Sequence, residues 1–290
     1  MRARAGRARL GLLACALAAC GGDGAPASLV RPSAVIYDAR ADVYLVADAG
    51  AGPPQGGVRE VSPLDGAVRA LVPGTVGLRA PRGLAVVGAT LWVTDVDVVR
   101  GFDRATGAPT SVTEIPGARG LWGLTAGEDG TLYVSDAGLD AAMEPTGTDA
   151  IWRVAPGGAP EVLARGEALA HPTAISAQRG GLYAVSWRDG TFFQVDYRGV
   201  RTELGRAPAG GLSGLCRVAG APAADDPRQR APSWLASSRD GAAVYRFSLT
   251  GGVEALSLRA EQPGGIACDP RRRRLLVPLQ GAGRLLVEPL

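Results

Sequence analysis

The sequence predicts an all-β chain, a six-bladed β-propeller of four-stranded antiparallel blades closed by an N-terminal strand, and three observations predict it. A short pattern recurs six times: an apolar segment often opened by Pro or Gly, a polar turn, then an alternating strand ending in a small or acidic residue. The ends of these second strands fall at residues 48, 95, 136, 187, 238 and 279, giving steps of 47, 41, 51, 51 and 41, about one four-stranded blade per repeat. Alternation with period two, frequent Gly and Pro, and no convincing amphipathic helical window complete the argument.

Taken in order, the second strands are Tyr44–Asp48, Leu91–Asp95, Leu132–Asp136, Leu182–Trp187, Ser233–Ser238 and Leu275–Leu279. Ahead of each lies a first strand: Ala34–Asp38, Gly83–Val87, Gly123–Ala126, Thr173–Ala177, Gly214–Val218 and Gly265–Asp269. Third and fourth strands follow, as in Ile151–Ala155 with Glu161–Ala164 and Phe192–Tyr197 with Val200–Leu204. The sixth blade supplies a third strand, Arg284–Glu288, and no fourth. An uncovered outer edge invites aggregation, so Ser28–Arg31 is expected to pair there as the closing strand. Among the connections, Ala49–Gly57 and Ala137–Thr148 are expected on the channel-mouth face as a mobile lid or partner surface, and Ala219–Pro232 on the opposite face.

Residues 1–19 have the zones of a secretory leader: Arg2, Arg4, Arg7 and Arg9, an apolar run over Leu10–Leu17, then Ala18 and Ala19. The run is far shorter than the roughly 20 residues a bilayer requires. Leu17-Ala18-Ala19-Cys20 resembles the lipobox of bacterial lipoproteins, which implies a diacylated Cys20 after cleavage before it; the alternative is an ordinary secreted protein cut after a small residue. The expected organisation is a leader over 1–19, a lipidated tether over 20–27 and a propeller over 28–290. The expected location is extracytoplasmic, lipid-anchored to a bacterial membrane, at the outer membrane, in the periplasm or at the cell surface.

The formal charge is +3, and the four leader arginines account for it, leaving −1 beyond residue 19. The Arg271–Arg274 run lies between two strand-like segments and reads as an exposed turn, so no nucleic-acid partner is expected. A monomer is expected. Cys15 leaves with the leader and Cys20 carries lipid, so Cys216 and Cys268 remain. Aligned, the first strands of blades five and six offset these two cysteines by one residue, which points them in opposite senses around the ring. They either face each other, permitting a disulfide between the blades, or face away as two buried thiols.

Pro81-Arg-Gly-Leu-Ala-Val-Val87 with Leu91-Trp-Val-Thr-Asp95, and Pro263-Gly-Gly-Ile-Ala-Cys-Asp269, resemble NHL repeats and equally the gluconolactonase and senescence-marker-protein group of six-bladed propellers. That resemblance implies a divalent cation near the channel, held by a first-blade Glu, Asn residues leading into first strands and an Asp. This chain contains no Asn; it places Arg82, Trp122, Thr173, Ser213 and Gly264 at those positions and opens blade one with Arg31-Pro32-Ser33-Ala34. No metal ligand set and no cofactor are therefore expected, a divalent cation being disfavoured.

The ligand-binding candidates at the channel mouth are Arg82, Trp122, His171, Thr173, Trp187 and Asp136. Asp48, Asp95 and Asp136 admit two readings, a carboxylate ring for a cation or repeated turn-capping residues. His171, the only histidine, reads as a packing or hydrogen-bonding residue or, by resemblance to streptogramin lyases, as a base. Trp92, Trp152 and Trp234 should pack between blades, leaving Trp122 and Trp187 for a ligand. The expected function is a tethered module binding a small molecule or protein partner at its mouth; the alternative is a degenerate gluconolactonase-like hydrolase or lyase.

Overall fold

The computed structural model describes residues 28–220, 231–249 and 252–290. They form six antiparallel sheets in a ring, a six-bladed β-propeller. Blade one holds β1 (Pro32–Asp38), β2 (Val43–Asp48), β3 (Gly57–Val61) and β4 (Val68–Val72); blade two holds β5 (Pro81–Val87), β6 (Thr90–Asp95), β7 (Val98–Asp103) and β8 (Pro109–Glu114). Blade three comprises β9 (Leu121–Ala126), β10 (Leu132–Asp136), β11 (Ala150–Val154) and β12 (Pro160–Arg165). Blade four comprises β13 (Pro172–Gln178), β14 (Gly181–Ser186), β15 (Thr191–Val195) and β16 (Arg201–Arg206). Blade five has β17 (Leu212–Val218), β18 (Ser233–Ser238), β19 (Ala243–Ser248) and β20 (Val253–Arg259); blade six has β21 (Ala267–Asp269), β22 (Arg274–Leu279) and β23 (Arg284–Pro289).

The apolar faces of the alternating strands meet between blades. Leu45, Val58, Leu84 and Phe102 join blades one and two, for example, and Phe192, Trp234 and Phe247 join four and five. Trp92, Trp152 and Trp234 lie in these layers, as expected from their strand positions. The glycines that mark the first strands have a steric cause. A Cβ on Gly83 would come within 2.5 Å of the Trp122 carbonyl oxygen, and one on Gly123 within 2.3 Å of the Thr173 carbonyl oxygen. The innermost strands of neighbouring blades thus approach too closely for a side chain.

A belt of buried hydroxyls crosses these joints. Ser33 donates to the Pro81 carbonyl oxygen, Thr94 to Trp122, Ser135 to Thr173, Thr173 to Leu212 and Ser237 to Gly264, each reaching the first strand of the next blade or, at Gly264, the segment leading into it. At the sixth joint backbone pairing replaces the hydroxyl: Gly265 N–H donates to the Ser33 carbonyl oxygen and Val35 N–H to the Gly265 carbonyl oxygen. The same joint carries an ion cluster. Arg272 binds Asp42 at 2.6 Å and Asp269 at 3.1 Å, while the Tyr44 hydroxyl donates to Asp269 at 2.9 Å. The Arg271–Arg274 run is therefore a turn that runs into the first residue of β22, and its Arg272 holds the ring closed.

The N-terminal closing strand is a correction. The sixth sheet has three strands among the described residues, and Ser28–Arg31 forms none of them. Val30 and Arg31 instead give their N–H groups to the Asp48 carboxylate, at 3.0 and 2.8 Å. Arg79 and Ala80 do the same to Asp95, and Arg119 and Gly120 to Asp136. The segment is the lead-in of blade one, and its donors are already committed. The leader, Cys20, the tether and residues 221–230 of the fifth-blade loop lie outside the described residues.

Candidate functional site at the channel mouth

The six first strands surround a central cavity of about 400 Å³. Arg82, Trp122 and Ser213 line it where first strands begin, and Tyr37 and Arg217 line its other end. Cys216 and Cys268 also line it, toward that far end, with Cα atoms 5.8 Å apart and joined by a disulfide. The bond ties blade five to blade six. Of the two orientations the residue offset allowed, the side chains take the facing one.

At the mouth, four consecutive blades contribute one stack. The Arg82 guanidinium of blade two lies 3.8 Å from the centroid of Trp122 of blade three. Trp122 packs on Trp187, which follows β14, with ring centroids 5.2 Å apart, and Arg239, which follows β18, sits 5.7 Å over Trp187. Leu139 and Met143 of the loop after β10 pack beside the tryptophans. Neither guanidinium has a hydrogen bond or ion pair among the described residues, so their N–H groups stay open.

Desolvation, and secondly the like charge of Arg239, push Arg82 down to about 10, which leaves it protonated at neutral pH. Its guanidinium is deeply enclosed although the residue keeps a solvent-reachable edge. Arg239 is lowered by desolvation, opposed by exposed Asp240. Arg239 carried no signal in the sequence beyond its place after a second strand.

The other candidates have structural tasks. Thr173 is fully buried, and its hydroxyl is spent on the Leu212 and Val185 carbonyl oxygens, so it belongs to the belt rather than to a ligand. Asp136, also buried, accepts N–H bonds from Arg119, Gly120 and Gly138 at 3.2, 3.0 and 2.9 Å. Burial raises its pKa and these donors oppose the rise. Asp48 and Asp95 repeat this clamp and face Arg59 and Arg100. The aspartates thus fasten each lead-in to its own second strand, a wider span than the single following turn.

His171 is buried with a left-handed φ of 61°. Its N–H donates to Asp149 at 2.7 Å, and Nδ1 lies 2.9 Å from the Ala137 carbonyl oxygen and 3.1 Å from Asp149 Oδ1. An Nδ1–H tautomer satisfies these acceptors and makes His171 the anchor of the loop after β10. That loop has a fixed base, with Leu139 buried and Ala137 N–H bonded to the Gly120 carbonyl oxygen, and an exposed tip at 140–142 and 144–147. The tip is exposed but tied by its own hydrogen bonds, among them Ala142 and Glu144 N–H to Asp140 and Thr146 N–H to the Gly138 carbonyl oxygen.

Among the described residues, no three His, Cys, Asp or Glu side chains converge. Arg82 would repel a cation, and the hydroxyls of Thr173 and Ser213 are engaged with backbone carbonyls. The residues at the mouth do not fit the divalent cation that the gluconolactonase resemblance implies.

No protein-family model and no curated protein matches the chain. Solved structures do. A gluconolactonase from Xanthomonas campestris superposes with a TM-score of 0.69 at 18% identity, over 91% of this chain and 88% of that one. This likeness is one of fold. A virginiamycin B lyase from Staphylococcus aureus gives 0.59 at 15% identity, over 91% and 87%, and a chain of a nidogen/laminin complex gives 0.59 at 14%, over 86% and 94%. Two enzymes and a member of a protein complex share the architecture, so function has to be argued from the mouth.

Proposed function

We propose that this chain is a membrane-tethered extracytoplasmic propeller whose channel mouth binds a small molecule or a protein partner. The mouth carries the reading: an Arg82–Trp122–Trp187–Arg239 stack with open donors, where the aspartates are already bonded to backbone. A concave site with aromatic walls and a few convergent polar groups is the usual form of a ligand site. The tether rests on the leader-like residues 1–19 and Cys20.

Thermal-shift screening of the mature protein against a metabolite panel tests the binding role. A ligand should raise the melting temperature of the native protein and not of Arg82→Gln or Trp187→Ala. Stabilisation only by divalent cations, or turnover of a lactone, would overturn it. For the tether, wild type should partition into detergent and Cys20→Ala into water.

A second reading has one supporting observation, the buried Asp149–His171 pair, which orients an imidazole as catalytic bases are oriented. In that reading the chain keeps lyase or hydrolase activity that His171→Gln abolishes without loss of ligand binding.

A further inference from the structure

We infer that the ligand of the channel mouth is a small oxyanion, a carboxylate or phosphate compound, gripped between the guanidinium groups of Arg82 and Arg239. The inference rests on the binding reading above and names the chemistry of that same site.

A guanidinium lying on an indole uses its π face, and its five N–H donors stay in its own plane, pointing away from the ring. Arg82, whose Cζ lies over the Trp122 ring 3.8 Å from its centroid, is at the distance this arrangement requires. The stack fixes the direction of the fork without consuming a donor. Arg239 is held over the second indole of the same pair, so two forks are positioned through one rigid aromatic unit.

Next comes charge. Two enclosed guanidinium groups stacked on one pair of indoles would ordinarily be neutralised by carboxylates, since desolvated charges are costly without partners. Asp48 and Asp95 already face Arg59 and Arg100, and Asp136 faces three backbone N–H groups. Asp240, next to Arg239, is exposed and forms no ion pair with it. Asp240 offsets only part of the desolvation of Arg239, and the rest of the counter-charge is left to a ligand. Planar, two-pronged oxyanions match a guanidinium fork best.

Size follows from the channel. Arg82 and Trp122 line the channel cavity of about 400 Å³, a volume that suits a metabolite rather than a folded protein surface, while Trp187 and Arg239 stand outside that lining at the mouth.

The test is a titration of tryptophan fluorescence in the full-length mature protein in detergent. The probes are benzene-1,3,5-tricarboxylate, inorganic tripolyphosphate and, as a neutral isostere, benzene-1,3,5-tricarboxamide. At least one anion should bind saturably, and the neutral isostere at least about tenfold more weakly, the change expected when a charge-assisted bond is lost. Arg82→Gln and Arg239→Gln should each weaken the anion about tenfold or more, Arg82→Lys by less, and exposed Arg119→Gln hardly at all. A melt of each variant checks that it is folded. Preference for the tricarboxylate or the tripolyphosphate assigns a carboxylate or a phosphate source. If the neutral isostere binds as tightly and the arginine variants keep full affinity, the anion inference falls and the binding reading stands. If no anion binds while a panel compound still stabilises the protein through the mouth residues, the inference falls as well. If nothing binds at the mouth, both fall.

Discussion

Replacing Ser135 with alanine removes one link of the hydroxyl belt and leaves its neighbours intact. The Ser135 hydroxyl is fully buried; it accepts the Gly123 N–H at 2.8 Å and donates to the Thr173 carbonyl oxygen in the next blade. Alanine would orphan both backbone groups. Each buried unsatisfied group costs about 1–3 kcal/mol, so a loss of about 2–6 kcal/mol is expected from the two. Water cannot readily replace the hydroxyl, because the space beside it is closed by the approach that forces residue 123 to be glycine. Ser135→Thr should restore most of the stability, since Thr94 fills the same role in blade two. Urea unfolding followed by tryptophan fluorescence measures the difference, with Thr110→Ala on an exposed strand as control. A change below about 0.5 kcal/mol for Ser135→Ala would refute the belt as a source of stability, since that is the scatter of ordinary surface substitutions.

Reducing the Cys216–Cys268 bond, whose partners lie 52 residues apart, should cost about 4 kcal/mol on the chain-entropy estimate; an unchanged urea midpoint with reductant would argue that the seam holds without it. At the other closure, the hydrogen bond from Arg272 first, then Tyr37, holds Asp42 below the usual carboxylate range, and backbone N–H bonds with Tyr44 and Arg272 outweigh burial to lower Asp269. Depressed carboxylates stabilise the fold above their unfolded pKa of about 3.9 and lose that contribution as pH falls below it. Arg272→Gln should therefore flatten the loss of stability below about pH 4, and an unchanged acid limb would contradict the assignment. In the loop after β10, hydrogen exchange should find the Ala137 amide slow and the Ala141 amide fast; equal protection would restore the idea of a uniformly rigid or uniformly mobile loop.

The architecture was legible because blades repeat. Second-strand ends at Asp48, Asp95 and Asp136 match, and first strands begin only one or two residues before their expected starts in five blades. In the sixth, Gly265 leaves the antiparallel sheet to pair in parallel with Ala34 across the closure. The closing strand was misread because Ser28–Arg31 has no strand pattern of its own and the clamp by Asp48 is a tertiary feature. Thr173 looked available for a ligand because its position is right; only the neighbouring blade shows where its hydroxyl goes. The belt did leave a trace, a hydroxyl just before the last residue of the second strand at Thr94, Ser135 and Ser237, but blades one and four move it to Ser33 and Thr173. Arg239 stayed hidden because a turn arginine carries no periodicity, and its meaning appears only when Trp187 lies beneath it.

In the reading proposed above, this mouth is built around open guanidinium groups and binds a ligand without a divalent cation. Elemental analysis of the purified mature protein, dialysed against metal-free buffer, tests that most directly. The predicted result is far less than one equivalent of any divalent cation per chain. One equivalent of calcium, manganese or zinc, retained through dialysis and lost on substitution of mouth residues, would contradict it.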